Sequence, residues 1–126
     1  MLEESKIRKH DIKKCYEKIV KQYKKYGKTP SMSTLVEKTI TTKAPSYYIT
    51  YDYARRLLSL HRRNRLPRHY RNLRRRMIDE IAHKVDQLIQ RRVSLSENDA
   101  LTMVLATGNA SRFFISATSA RRLINH

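Results

Sequence analysis

The strongest chemical signal in this sequence is a run of arginines with no acid among them. From Arg55 to Arg76 there are ten arginines, with His61 and His69 and no Asp or Glu. Residues 61–76 read His-Arg-Arg-Asn-Arg-Leu-Pro-Arg-His-Tyr-Arg-Asn-Leu-Arg-Arg-Arg. A guanidinium is planar, always charged and forked, so it grips phosphate oxygens in pairs, reaches guanine edges and stacks on bases. Arg62, Arg63, Arg65, Arg68, Arg71, Arg74, Arg75 and Arg76 are therefore candidate phosphate ligands. On a helical reading that starts near Pro67, Arg68, Arg71 and Arg75 form one outward stripe with Arg74 beside it. Arg55 and Arg56, and the lysines Lys13, Lys21 and Lys24 of the N-terminal segment, extend the candidate surface.

Other chemistry is not spelled out. No Gly-rich phosphate loop or metal-ligand spacing occurs, and His10, His61, His69, His83 and His126 are scattered. Cys15 stands on an apolar helical face among lysines without a His or Asn partner, which reads as a core thiol rather than a nucleophile. Asp79 and Glu80 are adjacent, so a helix turns them to different faces. Tyr23 and Tyr26 suggest a recombinase nucleophile, but no supporting Arg/His constellation assembles around them. The expectation is a protein without catalytic, metal or cofactor sites.

Charge points the same way. The 126 residues carry 28 Lys and Arg against 11 Asp and Glu, a net +17. Self-repulsion on that scale adds nothing to stability, so a polyanionic partner is its usual reason. DNA is the first expectation and RNA the second; an acidic protein partner, or packing within a phage particle, is the third. A membrane is not expected, since no apolar run approaches the roughly 20 residues of a span and no Trp or Leu/Phe stripe suits a lipid surface. Residues 1–6 lack a signal-peptide core. A single cysteine fits a reducing cytoplasm. Hydrophobic residues make up 40 % of the chain, enough for a real core.

What positions these residues is a pattern that recurs at an offset of 66. Residues 44–58 (Ala-Pro-Ser-Tyr-Tyr-Ile-Thr-Tyr-Asp-Tyr-Ala-Arg-Arg-Leu-Leu) match residues 110–124 (Ala-Ser-Arg-Phe-Phe-Ile-Ser-Ala-Thr-Ser-Ala-Arg-Arg-Leu-Ile). Upstream, Ile7, Ile12, Cys15, Ile19, Tyr23 and Leu35 fall on Leu73, Ile78, Ile81, Val85, Ile89 and Leu101. Two copies of one unit follow, residues 1–60 and 67–126, joined by a basic linker, residues 61–66, and packed as one compact domain. Each copy reads as long helix, short helix, short strand and capped helix: a mainly α, tandemly duplicated, pseudo-twofold fold with a minimal two-stranded pairing between repeats. The long helices present Ile12, Cys15, Tyr16, Ile19, Val20 and Tyr23, and Tyr70, Leu73, Met77, Ile81, Val85 and Leu88. Met32, Leu35, Val36 and Ile40, and Leu101, Val104 and Leu105, supply the short helices. Thr50 and Ser116 are N-caps for last helices that bury Ala54, Leu57 and Leu58, or Ala120, Leu123 and Ile124.

Short helix, connector and capped helix also suggest a helix-turn-helix, with Arg55-Arg56 and Arg121-Arg122 exposed on the last helix. The connector is longer than the usual turn. The competing reading makes Tyr47, Tyr48, Phe113 and Phe114 core residues, with Ile49 and Ile115 paired across the pseudo-twofold axis and one aromatic of each pair left for base stacking.

The pattern Ala-Pro-x-aromatic-aromatic-Ile-Ser/Thr, with Ala four residues on, resembles short two-repeat proteins from prophages and mobile elements of Bacteroides-type bacteria. The resemblance spans both copies; Ser111 stands where the pattern has proline. It implies a mobile-element setting and structural roles for Tyr47, Tyr48, Ile49, Thr50 and Ala54 and for Phe113, Phe114, Ile115, Ser116 and Ala120.

Overall fold

Hydroxyl side chains start four of the helices. The Ser31, Thr50, Ser96 and Ser116 hydroxyls accept the backbone N–H of Thr34, Tyr53, Asp99 and Ser119 at 3.1–3.2 Å, satisfying an orphan donor of each first turn. In the computed structural model, which describes residues 2–70, 72–92 and 94–126, the helices are α1 (Leu2–Lys25), α2 (Met32–Ile40), α3 (Tyr51–Arg62), α4 (Asn72–Arg91), α5 (Glu97–Thr107) and α6 (Ala117–Asn125). The fold is mainly α.

These helices pack as two compact units, Met1–Tyr48 with Asn109–His126, and Ile49–Gly108. The first holds α1, α2 and α6; the second holds α3, α4 and α5. The units are thus drawn differently from residues 1–60 and 67–126: each takes its long and short helices from one half of the sequence and its third helix from the other.

In the first unit, α1 buries Ile12 and half-buries Cys15, Tyr16, Ile19, Val20 and Tyr23, the face its spacing predicts. It ends where Gly27 turns left-handed at φ +68°, with Lys28 N–H on Tyr23 O and Gly27 N–H on Lys24 O at 3.0 Å each. This paired-bond terminus favours glycine because a Cβ is strained there. Helix α2 buries Leu35, Val36, Thr39 and Ile40. Thr39, absent from the expected face, satisfies its hydroxyl by donating to Leu35 O at 2.7 Å. From α6, Ala120 is buried and Leu123 and Ile124 are half-buried.

The expected short strand is not formed: no strand occurs among the described residues. Ala44 and Ala110 instead exchange two backbone hydrogen bonds, at 3.0 and 2.9 Å, as one antiparallel bridge. Tyr48 breaks the extended run. Its φ is +55°, outside the β region, and its N–H bonds the Ser46 hydroxyl at 2.9 Å. In the second segment Ile115 N–H turns back onto Phe113 O at 2.9 Å. The aromatics pair across the bridge, Tyr47 on Phe114 (6.2 Å, 17°) and Tyr48 on Phe113 (6.1 Å, 9°). Tyr47 and Phe113 are buried, in line with the core reading; Tyr48 and Phe114 are half-buried.

In the second unit, α3 buries Ala54, Leu57 and Leu58, α4 buries Met77, Ile78, Ile81, Ala82 and Val85, and α5 buries Ala100, Leu101 and Val104. Helix α4 begins at Asn72, not near Pro67. The Pro67 carbonyl accepts Tyr70 N–H at 3.1 Å, a turn, and also the Arg75 guanidinium at 2.6 Å. At the end of α5, a Cβ on Gly108 would stand 2.4 Å from Val104 O, so only glycine fits there.

Candidate nucleic-acid interface

With Ala54, Leu57 and Leu58 turned inward, helical geometry sends Asp52, Arg55, Arg56, Ser59, Arg62 and Arg63 to the outer side of α3. The four arginines there are exposed. The Arg56 guanidinium lies 5.1 Å from the centre of the Tyr53 ring, a cation–π contact that orients the fork without neutralising it. Arg63 donates from Nη2 to the Ser59 hydroxyl at 2.8 Å.

Arg62 is different. It donates to both carboxylate oxygens of Asp86, at 2.6 and 3.1 Å, and its Nε stands 3.5 Å from Glu97. The Asp86 hydrogen bonds hold its proton more tightly than usual, against the opposing effect of burial. Asp86 is on α4 and Glu97 starts α5, so this side chain ties together the three helices of its unit. His61 adds a second tie, Nε2 to Asp79 Oδ1 at 2.6 Å; with a carboxylate there, Nε2 carries a proton. The expectation that Arg62 is a free phosphate ligand is therefore corrected: its fork is occupied by carboxylates 24 and 35 positions further along the chain.

Beyond α3 the chain turns at Asn64, left-handed at φ +56°, with Arg65 N–H on Leu60 O (2.8 Å) and Asn64 N–H on His61 O (3.0 Å). Asparagine tolerates this conformation better than other non-glycine residues. Arg65 and Arg68 are exposed on the loop that follows, and Arg74 and Arg76 on the first turns of α4. Arg74 lies 4.7 Å from the Tyr70 ring centre, and His69 meets the same ring edge-on at 5.1 Å. The stripe of Arg68, Arg71 and Arg75 is not built. Arg68 precedes the helix, and Arg71 lies outside the described residues. Arg75 is half-buried, reaching back to Pro67 O and Leu66 O (2.6 and 3.4 Å) as a brace on the loop.

What remain are seven exposed arginines, Arg55, Arg56, Arg63, Arg65, Arg68, Arg74 and Arg76. Among the described residues none of these seven pairs with a carboxylate. All belong to the second unit. Lys13, Lys21 and Lys24 share one side of α1 in the first unit, Lys21 and Lys24 exposed and Lys13 half-buried. The helix-turn-helix reading is also corrected: α2 and α3, like α5 and α6, fall in different units, so neither of these two pairs forms the motif within one compact unit. Charge is shared between the units. Fifteen Lys and Arg face five Asp and Glu in the first, and thirteen face six in the second.

No protein-family model matches the chain, and no curated protein or solved structure is significantly similar to it. Among the described residues no group of three or more His, Cys, Asp or Glu could hold a metal ion, and no helix is long and apolar enough to cross a membrane.

Proposed function

We propose that this chain is a non-catalytic nucleic-acid-binding protein, with DNA its first partner, that grips phosphates through Arg55, Arg56, Arg63, Arg65, Arg68, Arg74 and Arg76. The observation that carries the reading is the company these side chains keep. They are exposed, Arg56 and Arg74 lie over the Tyr53 and Tyr70 rings, Arg63 donates to the Ser59 hydroxyl, and among the described residues none of the seven is ion-paired with a carboxylate. An arginine fork held this way is oriented yet uncompensated, which suits a polyanion. Arg62 and Arg75 have internal roles instead, holding the helices and loop that present the others.

The reading includes a tandem duplication. The aromatic pairing supports it: at the offset of 66, Tyr47 corresponds to Phe113 and Tyr48 to Phe114, yet the rings pair crosswise, as a local two-fold requires. Ala44 and Ala110, also 66 apart, pair with each other. Two copies that have exchanged third helices account for both units, and a phage or mobile-element setting accords with the sequence resemblance.

The test is fluorescence anisotropy of the whole chain against a labelled duplex, a single strand and a structured RNA at two salt concentrations. Affinity is expected to fall steeply with salt, because neutralised phosphates release counterions. Replacing Arg55, Arg56 and Arg63 by Gln together should flatten the duplex slope by about two to three, roughly 0.9 per lost contact. A protein that ignores all three polymers at low ionic strength sinks the proposal.

A further inference from the structure

The first unit carries a recess that the arginine surface does not use. It lies where α1 ends beside the end of α2, has a volume of about 330 Å³, and is lined by Ile19, Gln22, Tyr23, Tyr26, Lys28, Lys38 and Thr42. Tyr26 and Lys28 flank the Gly27 turn that ends α1. Lys38 comes from the last turn of α2.

Its chemistry is specific. Tyr26 is 74 % exposed, one of two large hydrophobic side chains left so open among the described residues. Tyr23 and Ile19 are half-buried, and Ile19 is the aliphatic member of the lining. Both cations are lysines, no acid lines the recess, and among the described residues neither lysine is ion-paired. The Thr42 hydroxyl is committed to Lys38 O at 2.7 Å, which leaves the Gln22 amide as the adaptable polar group. Two tyrosines, two unpaired lysines and no acid suit a flat aromatic occupant with anionic flanks. The volume is at the lower end of ligand recesses, ~300–1,000 Å³: room for one planar heterocycle, too little for a protein helix.

We infer that this recess takes an unpaired nucleobase of a single-stranded segment, stacked on Tyr26 and Tyr23, with Lys28 and Lys38 on the adjoining phosphates and Gln22 on the base edge. A base inside a duplex cannot enter, since its faces are covered and its edge is paired. The inference rests on the nucleic-acid reading above and narrows it. The arginine surface takes phosphates of any strand, whereas the recess selects strands with an unstacked base. DNA and RNA share this chemistry; an oligothymidylate and an oligouridylate distinguish them.

The experiment uses the whole chain with end-labelled oligothymidylate, oligouridylate and a duplex of equal length, read by anisotropy at fixed low salt. Tyr26 is solvent-exposed, so changing it leaves the core alone. Tyr26→Leu is expected to weaken at least one single strand on the order of tenfold, the scale of one lost base stack, and to leave duplex binding unchanged. Tyr26→Phe, which keeps the ring, should restore it, and Lys28→Gln with Lys38→Gln should flatten the single-strand salt slope. If Tyr26→Leu binds single strands as the parent does, or weakens duplex and single strands alike, the recess is not a base site while the arginine reading stands. If the parent binds none of the three, both readings fall together.

Discussion

Arg62 on α3, within a stretch of sequence that holds no acid from Arg55 to Arg76, clasps both oxygens of Asp86 on α4, at 2.6 and 3.1 Å. The pair separates two kinds of arginine that composition cannot tell apart. Arg62→Gln should lower the melting temperature by a few degrees, corresponding to about 1 kcal/mol for a partly exposed forked pair. It should leave the salt dependence of duplex binding intact. Asp86→Asn should lower stability similarly but steepen that dependence, because the fork is released. Thermal melts paired with salt titrations check this; a flattened slope for Arg62→Gln would return Arg62 to the binding surface.

The Tyr48 hydroxyl donates to Asp11 Oδ2 at 2.6 Å, and burial together with this bond to a carboxylate pushes its ionisation well above the ordinary tyrosine range. A raised value means the folded state holds the proton more tightly than the unfolded chain does. The contribution to stability is complete below about pH 10 and is lost as pH rises through the folded value. In an alkaline titration followed by tyrosinate absorbance, Tyr48 should ionise late, in step with unfolding. Tyr48→Phe should shrink that late step by one tyrosine; a titration identical to the parent's would contradict the assignment.

Gly108→Ala should destabilise the second unit by about 1–3 kcal/mol, the usual cost of an atom forced into occupied space. The obstacle is backbone, Val104 O at 2.4 Å, and cannot rotate away. Gly27→Ala strains a left-handed turn with open space around it, so its cost should stay nearer 1 kcal/mol. Urea melts of the two variants give the ranking, and an equal or reversed order would refute it.

How far the sequence reaches depends on the range of the interaction. Thr50 and Ser116 cap where their positions suggest, and the inward face of α3 follows from spacing, because caps and faces are set within a few residues. On α4 the spacing finds Met77, Ile81 and Val85 but not Ile78 and Ala82, which are buried beside them, while Leu73 and Leu88 are only half-buried. The start of α4 was not legible. Pro67 suits a first helical position, yet its carbonyl is claimed by a turn and by Arg75, eight residues on. The Asp86 and Glu97 ties to Arg62 lie on separate helices and leave no local trace. Nor could periodicity reveal that α3 joins α4 and α5 while α6 joins α1 and α2, since the same apolar stripe satisfies either arrangement. The tyrosine–lysine recess had a faint signature, Tyr23 and Tyr26 flanked by lysines, visible only once α2 supplies the opposite wall.

The split of the first unit around the second has a consequence for the order of assembly. Residues 49–108 are continuous, so α3, α4 and α5 can find one another through short-range encounters. In residues 1–48, α1 and α2 can meet early, but their third helix, α6, follows some sixty residues later, and closing that loop carries the larger entropic cost. On a ribosome, the lysine-rich α1 emerges before α6 and stays without it until the intervening residues have been made. That is an interval in which a chaperone, or a nascent messenger's own phosphates, could reach it first.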